Sequence, residues 1–184
     1  STAFARLHAD GKLVLPDADT SADLFELTQA MTAAAGLPAY EVSNHARPGA
    51  ESLHNLLYWR YGDFVGVGPG AHGRLTLGGV RQATETIRAP EAWIEAVERA
   101  GSGESGRAGI SPIDQATGMA MLGLRPTAGI ALARYEALAG APMPADRVAE
   151  LAELGLVEVA AGRLRTSPAG RAVLDGVLRR LLAD

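Results

Sequence analysis

The 184-residue chain carries 17 basic and 21 acidic side chains, a formal charge of −4, with 47% apolar and 21% charged residues. Those proportions suit one folded domain or two small ones, and argue against disorder and against a general affinity for phosphate backbones. There is no cysteine, so disulfides, thiolate zinc sites and a cysteine-ligated iron–sulfur cluster cannot form within the chain.

No run of 18 apolar residues offers a membrane span, and no basic segment leads into an apolar run as in a signal peptide. The chain opens on Ser1 in a stretch without periodicity, which suggests a fragment or a processed product. Residues 1–20 are expected to be irregular, with a turn at PDAD (16–19). Ser21 is the expected N-cap of a helix over 22–35, with Leu24, Leu27, Met31 and Ala34 on its inner face and Gly36 ending it. AYEV (39–42) reads as a short strand, making a helix–strand unit of the α/β type. SNHARPGAES (43–52) is a loop by its Pro48-Gly49 turn.

The next twenty residues, HNLLYWRYGDFVGVGPGAHG (54–73), concentrate two histidines, four aromatic rings and five glycines. DFVGVG reads as a strand ending in a glycine turn, and LTLGGVRQAT (75–84) as a hairpin around Gly78-Gly79. Pro90 suits the first turn of a helix to about Arg99, with Trp93 and Val97 on one face. GSGESGRAG (101–109) holds no large apolar residue and reads as a loop or linker near a domain boundary.

Beyond it, helices are expected over 113–124, about 128–138, and from Pro144 with Val148, Leu151 and Leu154 inward. Two short strands follow around Ala161-Gly162. A last helix begins at Pro168, with Val173, Leu174, Val177, Leu178 and Leu181 inward. Helix–helix–helix–hairpin–helix is the order of a winged-helix-like domain. The helix before its wing, ADRVAELAELG, sets one arginine against Asp146, Glu150 and Glu153. Phosphate would repel it, so packing or partner docking is favoured over nucleic-acid binding.

GVGPGAHG (66–73) lacks the lysine and Ser/Thr of a Walker A loop, and Ala71 stands where G-x-G-x-x-G needs glycine. What it offers is backbone that a flat ligand can approach closely. His54, beside aromatics, is either a hydrogen-bonded structural residue or a ligand for heme iron. His45 and His72 are similar cases, and His8 carries no argument. No His or carboxylate cluster has metal-binding spacing, and Ser43 and Ser52 lack a nucleophile-elbow context.

The run YEVSNHARPGAESLHNLLYWRYGDFVGVGPGAHGR (40–74) resembles the oxygen-independent coproporphyrinogen III oxidase family of radical SAM proteins, more narrowly its HemW or heme chaperone type. Three pieces carry the resemblance: Y-E-V-S-N-x-A-R-P-G, H-N-x-x-Y-W and G-V-G-P-G-A-H. MLGLRPTAGI (121–130) and LAELGLVEVAAGRLRTSPAGRAVLDGVL (151–178) are similar to the family's C-terminal domain. TAFAR (2–6) is similar to a segment of its barrel. The resemblance covers nearly the whole chain.

It implies an α/β fold: the last βα elements of a partial TIM-like barrel over 1–84, a connecting helix and Gly/Ser-rich linker over 85–107, and a mainly helical, winged-helix-like domain over 108–184. It implies His54 as the residue that attaches heme, with Asn55, Tyr58 and Trp59 shaping the pocket. Leu57, Gly66, Gly68, Pro69, Gly70, Ala71 and His72 would form the wall of a cavity for S-adenosylmethionine (SAM) and substrate. Leucine at 57, where the oxidase branch has a polar residue, favours the chaperone branch.

The family's 4Fe-4S cluster and SAM require a CxxxCxxC loop, which is absent here and would lie before residue 1. The chain as given is expected to be inert as a radical enzyme, to show no iron–sulfur absorbance and to bind heme at most weakly. Two smaller departures are AESLHN, without the cysteine often found before the histidine, and Gly118, where an acidic residue is common. The implied parent is a cytoplasmic protein that binds heme or another tetrapyrrole and transfers it to heme-accepting proteins. The alternatives are coproporphyrinogen III oxidase itself, decarboxylating propionate side chains to give protoporphyrinogen IX, and a non-enzymatic interaction module. A homodimer would cover an exposed barrel edge.

Overall fold

In the computed structural model, which describes residues 2–183, the apolar core lies in the C-terminal half. Tyr61 apart, every member of its buried cluster comes from position 116 or later. The elements there follow the sequence pattern closely: α5 (Pro112–Gly123), β4 (Ile130–Ala131), α6 (Leu132–Ala139), α7 (Ala145–Glu153), β5 (Val157–Ala160), β6 (Arg163–Thr166), α8 (Pro168–Ala172) and α9 (Leu174–Leu181). The sheet order is β4-β6-β5, all antiparallel, with β5 and β6 joined through Ala161-Gly162 as the turn residues foretold. Met119, Leu124, Leu164, Val177 and Leu181 are essentially inaccessible to solvent. Leu154 and Val173, assigned to inner faces, are exposed instead, each sitting at the cap of its helix rather than within it.

The N-terminal half is built on backbone pairing more than on burial. β1 (His72–Leu77) and β2 (Val80–Thr86) form the expected hairpin, and α4 (Pro90–Ala100) starts at Pro90 and ends on left-handed Gly101. The expected linker at 101–109 is instead largely a strand, β3 (Glu104–Gly109), antiparallel to β2. All six of its residues are exposed. Main-chain hydrogen bonds hold it, with Arg107 bridging to Gln82 at 2.9 Å. A strand with no side chain to bury leaves no alternation to read.

Other expectations are also corrected. Residues 1–20 are not irregular: α1 (Ala3–Ala9) is capped by the Thr2 hydroxyl. The following helix, α2 (Ala18–Ala34), starts one turn early because the Asp17 carboxylate accepts from the Thr20 amide at 2.7 Å. Its apolar face is not buried; Leu24, Leu27 and Met31 are exposed. AYEV forms no strand but one bridge, Ala39 to His45, closing a tight loop. DFVGVG likewise makes a single bridge, Phe64 to Arg74, and Val65 and Val67 face solvent. The motif HNLLYW, by contrast, is helical: α3 (Leu53–Trp59), capped by Ser52.

Candidate functional site

Helix α3 sorts the HNLLYW motif onto two faces. Residues four apart share a face, so His54 and Tyr58 lie together and Asn55 and Trp59 lie together. The His54 and Tyr58 rings meet edge-on, 4.9 Å between centroids, with the Tyr58 hydroxyl 3.4 Å from His54 Nε2. Tyr58 in turn packs on Phe64 at 4.4 Å. His54 is exposed, so an imidazole stands at the open end of a three-ring row.

Behind the row lies a cavity of ≈ 240 Å³ lined by Tyr58, Tyr61, Phe64, His72, Arg74 and Arg81, among others. It joins the two motifs: Tyr58 comes from HNLLYW and His72 from GVGPGAHG. The His72 ring lies 3.6 Å from the Glu85 carboxylate, directly across the hairpin. Leu57 is partly exposed, and its Cδ1 closes over Gly62.

The glycine loop is rigidly knit. Gly68 and Gly70 take left-handed φ values of 96° and 69°, open to glycine at little cost. Thr86 clamps the loop: its hydroxyl donates to the Gly68 carbonyl at 2.6 Å and accepts from the Ala71 amide at 2.7 Å. The Gly70 amide bonds Ile87 O at 2.8 Å. A Cβ at Gly66 would stand 2.6 Å from the His72 carbonyl oxygen, so Gly66 lets β1 close on the preceding segment. The Gly70 and Ala71 amides are thus spent internally and cannot cradle a phosphate, and of residues 66–73 only His72 lines the cavity.

Asn55 and Trp59 turn to the seam with the C-terminal half. Asn55 Nδ2 donates to the Tyr40 hydroxyl at 3.3 Å, and the Arg125 guanidinium sits 4.7 Å above the Trp59 ring. Arg125 also faces Glu41 at 3.5 Å. Glu41, wholly buried, accepts from the Ser43 amide at 2.8 Å and from Asn44 Nδ2 at 2.6 Å. Gly118 has its reason here too: a Cβ there would meet the Tyr61 ring at 3.1 Å.

Of the residues expected to contact heme, Tyr58 lines the cavity and His54 stands exposed against the Tyr58 ring, while Asn55 and Trp59 face the seam with the C-terminal half. Sequence reasoning missed Phe64, Arg74, Glu41, Thr86 and Arg125 as partners of the site. Glu41 and Arg74 carried a signal, since both lie within the run 40–74; Thr86 carried none. Among the described residues no cluster of three His, Cys, Asp or Glu side chains could hold a metal ion, and no helix is long and apolar enough to cross a membrane. In α7, Arg147 is engaged by the Leu181 and Ala183 carbonyls and Glu150 by Arg180.

Residues 110–173 match the HemN C-terminal domain family. The chain is similar to the C-terminal part of HemW/HemN-like radical SAM proteins. It is 37% identical over 181 residues to the heme chaperone HemW of Mycobacterium tuberculosis H37Rv, a match covering 98% of this chain and 44% of that protein. It is 35% identical over 196 residues to the mitochondrial radical S-adenosyl methionine domain-containing protein 1 of Bos taurus, covering 100% of this chain and 43% of that protein. The chain thus spans less than half the length of these relatives. The solved structure of coproporphyrinogen III oxidase HemN of Escherichia coli, described as a radical SAM enzyme, shares the mixed α/β fold. Its TM-score is 0.64 at 16% identity, covering 92% of this chain and 42% of that one.

Proposed function

We propose that this chain supplies the tetrapyrrole-contacting wall of a radical SAM heme chaperone. The observation that carries the reading is the exposed His54 imidazole at the end of the His54–Tyr58–Phe64 row. Heme would supply an iron with an axial position for which neutral imidazole is a natural ligand. Tyr58 and Phe64 present flat apolar surface for the macrocycle and hold the His54 ring in place. Asn55 and Trp59 act at one remove, fixing the helix that carries His54. The relatives named heme chaperones support heme as the cargo and heme-accepting proteins as its recipients.

Residues 1–84 would correspond to the closing βα elements of the barrel, and 108–184 to a winged-helix-like lid. Leu57, apolar at the surface, supports the chaperone branch over the oxidase. The donors for an iron–sulfur cluster do not fit: the chain has no thiol, so no step through the cluster or SAM is derived for these residues. The knit 66–73 loop would form only the wall that such cofactors face. The cytoplasm is the proposed location, although relatives named as mitochondrial exist.

Titration of the chain with ferric heme, followed in the Soret band, tests the reading. His54→Ala should shift the band and weaken binding about tenfold or more. Identical spectra and stoichiometry for the two proteins would remove His54 as the iron ligand.

A further inference from the structure

Two guanidiniums line the cavity behind the ring row, and they are used differently. Arg81 is 8% exposed and engaged at both Nη atoms: Nη1 donates to Asp63 Oδ1 at 2.7 Å, Nη2 donates to Gly62 O at 2.8 Å, and the group lies 4.0 Å over Tyr61. Arg74 is half-buried, and its one side-chain hydrogen bond among the described residues runs from Nη1 to Gly73 O at 2.8 Å. No carboxylate of the described residues lies within ion-pair distance of it. The nearby acids are committed elsewhere. Asp63 holds Arg81 and also accepts from the Thr76 amide at 2.6 Å, and Glu85 faces His72.

A guanidinium offers five N–H donors in a planar fork that matches a carboxylate two bonds at a time. With no carboxylate of the described residues beside it, the partly buried Arg74 guanidinium can take one that arrives. The cavity limits what that is. At ≈ 240 Å³ it falls below the usual range for whole-ligand pockets, about 300–1,000 Å³. It therefore admits the edge of a large ligand, while the flat body stays outside against Tyr58 and Phe64.

We propose that Arg74 is the carboxylate-recognising residue of the tetrapyrrole site, pairing with an acid side chain of a planar ligand that rests on the His54–Tyr58–Phe64 row. The inference deepens the tetrapyrrole reading and rests on it. It adds a selectivity that His54 cannot give, because imidazole ligation to iron is indifferent to the acid groups at the ring edge. Arg74 sits on β1, where the bridge to Phe64 fixes its backbone on both sides: Phe64 N to Arg74 O at 2.7 Å and Arg74 N to Phe64 O at 2.8 Å. The guanidinium is thus carried by the same pairing that places the aromatic wall.

The test compares ferric heme with heme dimethyl ester, whose acid groups are masked, in Soret titrations of the unmodified chain, Arg74→Gln and Arg74→Lys. The unmodified chain should bind heme about tenfold more tightly than the ester, the worth of one charged contact. Arg74→Gln should abolish that preference while leaving ester affinity unchanged, and Arg74→Lys should restore part of it. Equal affinity of the unmodified chain for heme and ester overturns the proposal whether or not a variant folds. So does a preference that survives Arg74→Gln. In both results the tetrapyrrole reading stands; binding of neither ligand would bring down that reading and the proposal with it.

Discussion

Glu41→Ala should destabilise the chain more than any surface substitution, because it removes the acceptor around which residues 39–46 are wound. The carboxylate is 0% exposed, with bonds of 2.8 Å and 2.6 Å on one oxygen and Arg125 at 3.5 Å from the other. Hydrogen bonds to a charged group contribute about 1.5–3 kcal/mol each, and stripping one partner from a buried ion pair costs about 3–5 kcal/mol. These terms overlap rather than add. The Arg125 side chain keeps 30% exposure and can recruit water, and Asn44 can turn to solvent, so the lower end applies, about 3 kcal/mol. At about 2–4 °C per kcal/mol for a chain of this size, Tm should fall by about 6–12 °C. Thermal unfolding followed by circular dichroism measures this. A cycle with Arg125→Gln should show the double variant less destabilised than the sum of the singles. A Tm within about 2 °C of the parent, or strictly additive singles, would refute the claim that Glu41 ties the loop to the C-terminal half through Arg125.

Two further outcomes follow from the geometry. Gly170→Ala should cost about 3 kcal/mol or more, because its Cβ would collide with the Leu156 carbonyl oxygen; urea denaturation with an unchanged midpoint would contradict it. The Asp17 carboxyl is held below its ordinary value by the Thr20 amide. Its contribution to α2 is therefore present above the usual aspartate range and is lost as pH falls through the depressed value. The helicity deficit of Asp17→Ala, read at 222 nm against the parent, should shrink on acidification; a pH-independent deficit would show that Asp17 does not cap α2 through its charge.

Where local chemistry and tertiary context agreed, the sequence was legible. Gly78-Gly79 placed the β1–β2 hairpin, Pro90 the start of α4, and Ala161-Gly162 the β5–β6 turn, because each depends on backbone geometry within a few residues. Apolar spacing likewise foretold that Leu151, Leu174, Val177 and Leu181 are buried. It failed for Leu24, Leu27 and Met31, since periodicity announces a face available for burial without providing the surface that covers it. It failed also for β3, which is defined by its pairing to β2 and has no buried side chain. His54 and Tyr58 could be singled out from their motif. Their division from Asn55 and Trp59 follows from α3 being a helix, and neither aromatic content nor glycine spacing said so.

By itself the sequence determined the turns, the helix starts set by proline, the core stripe of the C-terminal half and the absence of any thiol ligand. These are properties of single residues and their near neighbours. Only the tertiary structure decided that Phe64 completes the His54–Tyr58 row, that Thr86 clamps the glycine loop, and that Arg74 reaches the cavity with no carboxylate of the described residues paired to it. Each of those depends on hairpin register and on which face of a helix meets which strand, and that information arises only when distant segments pack.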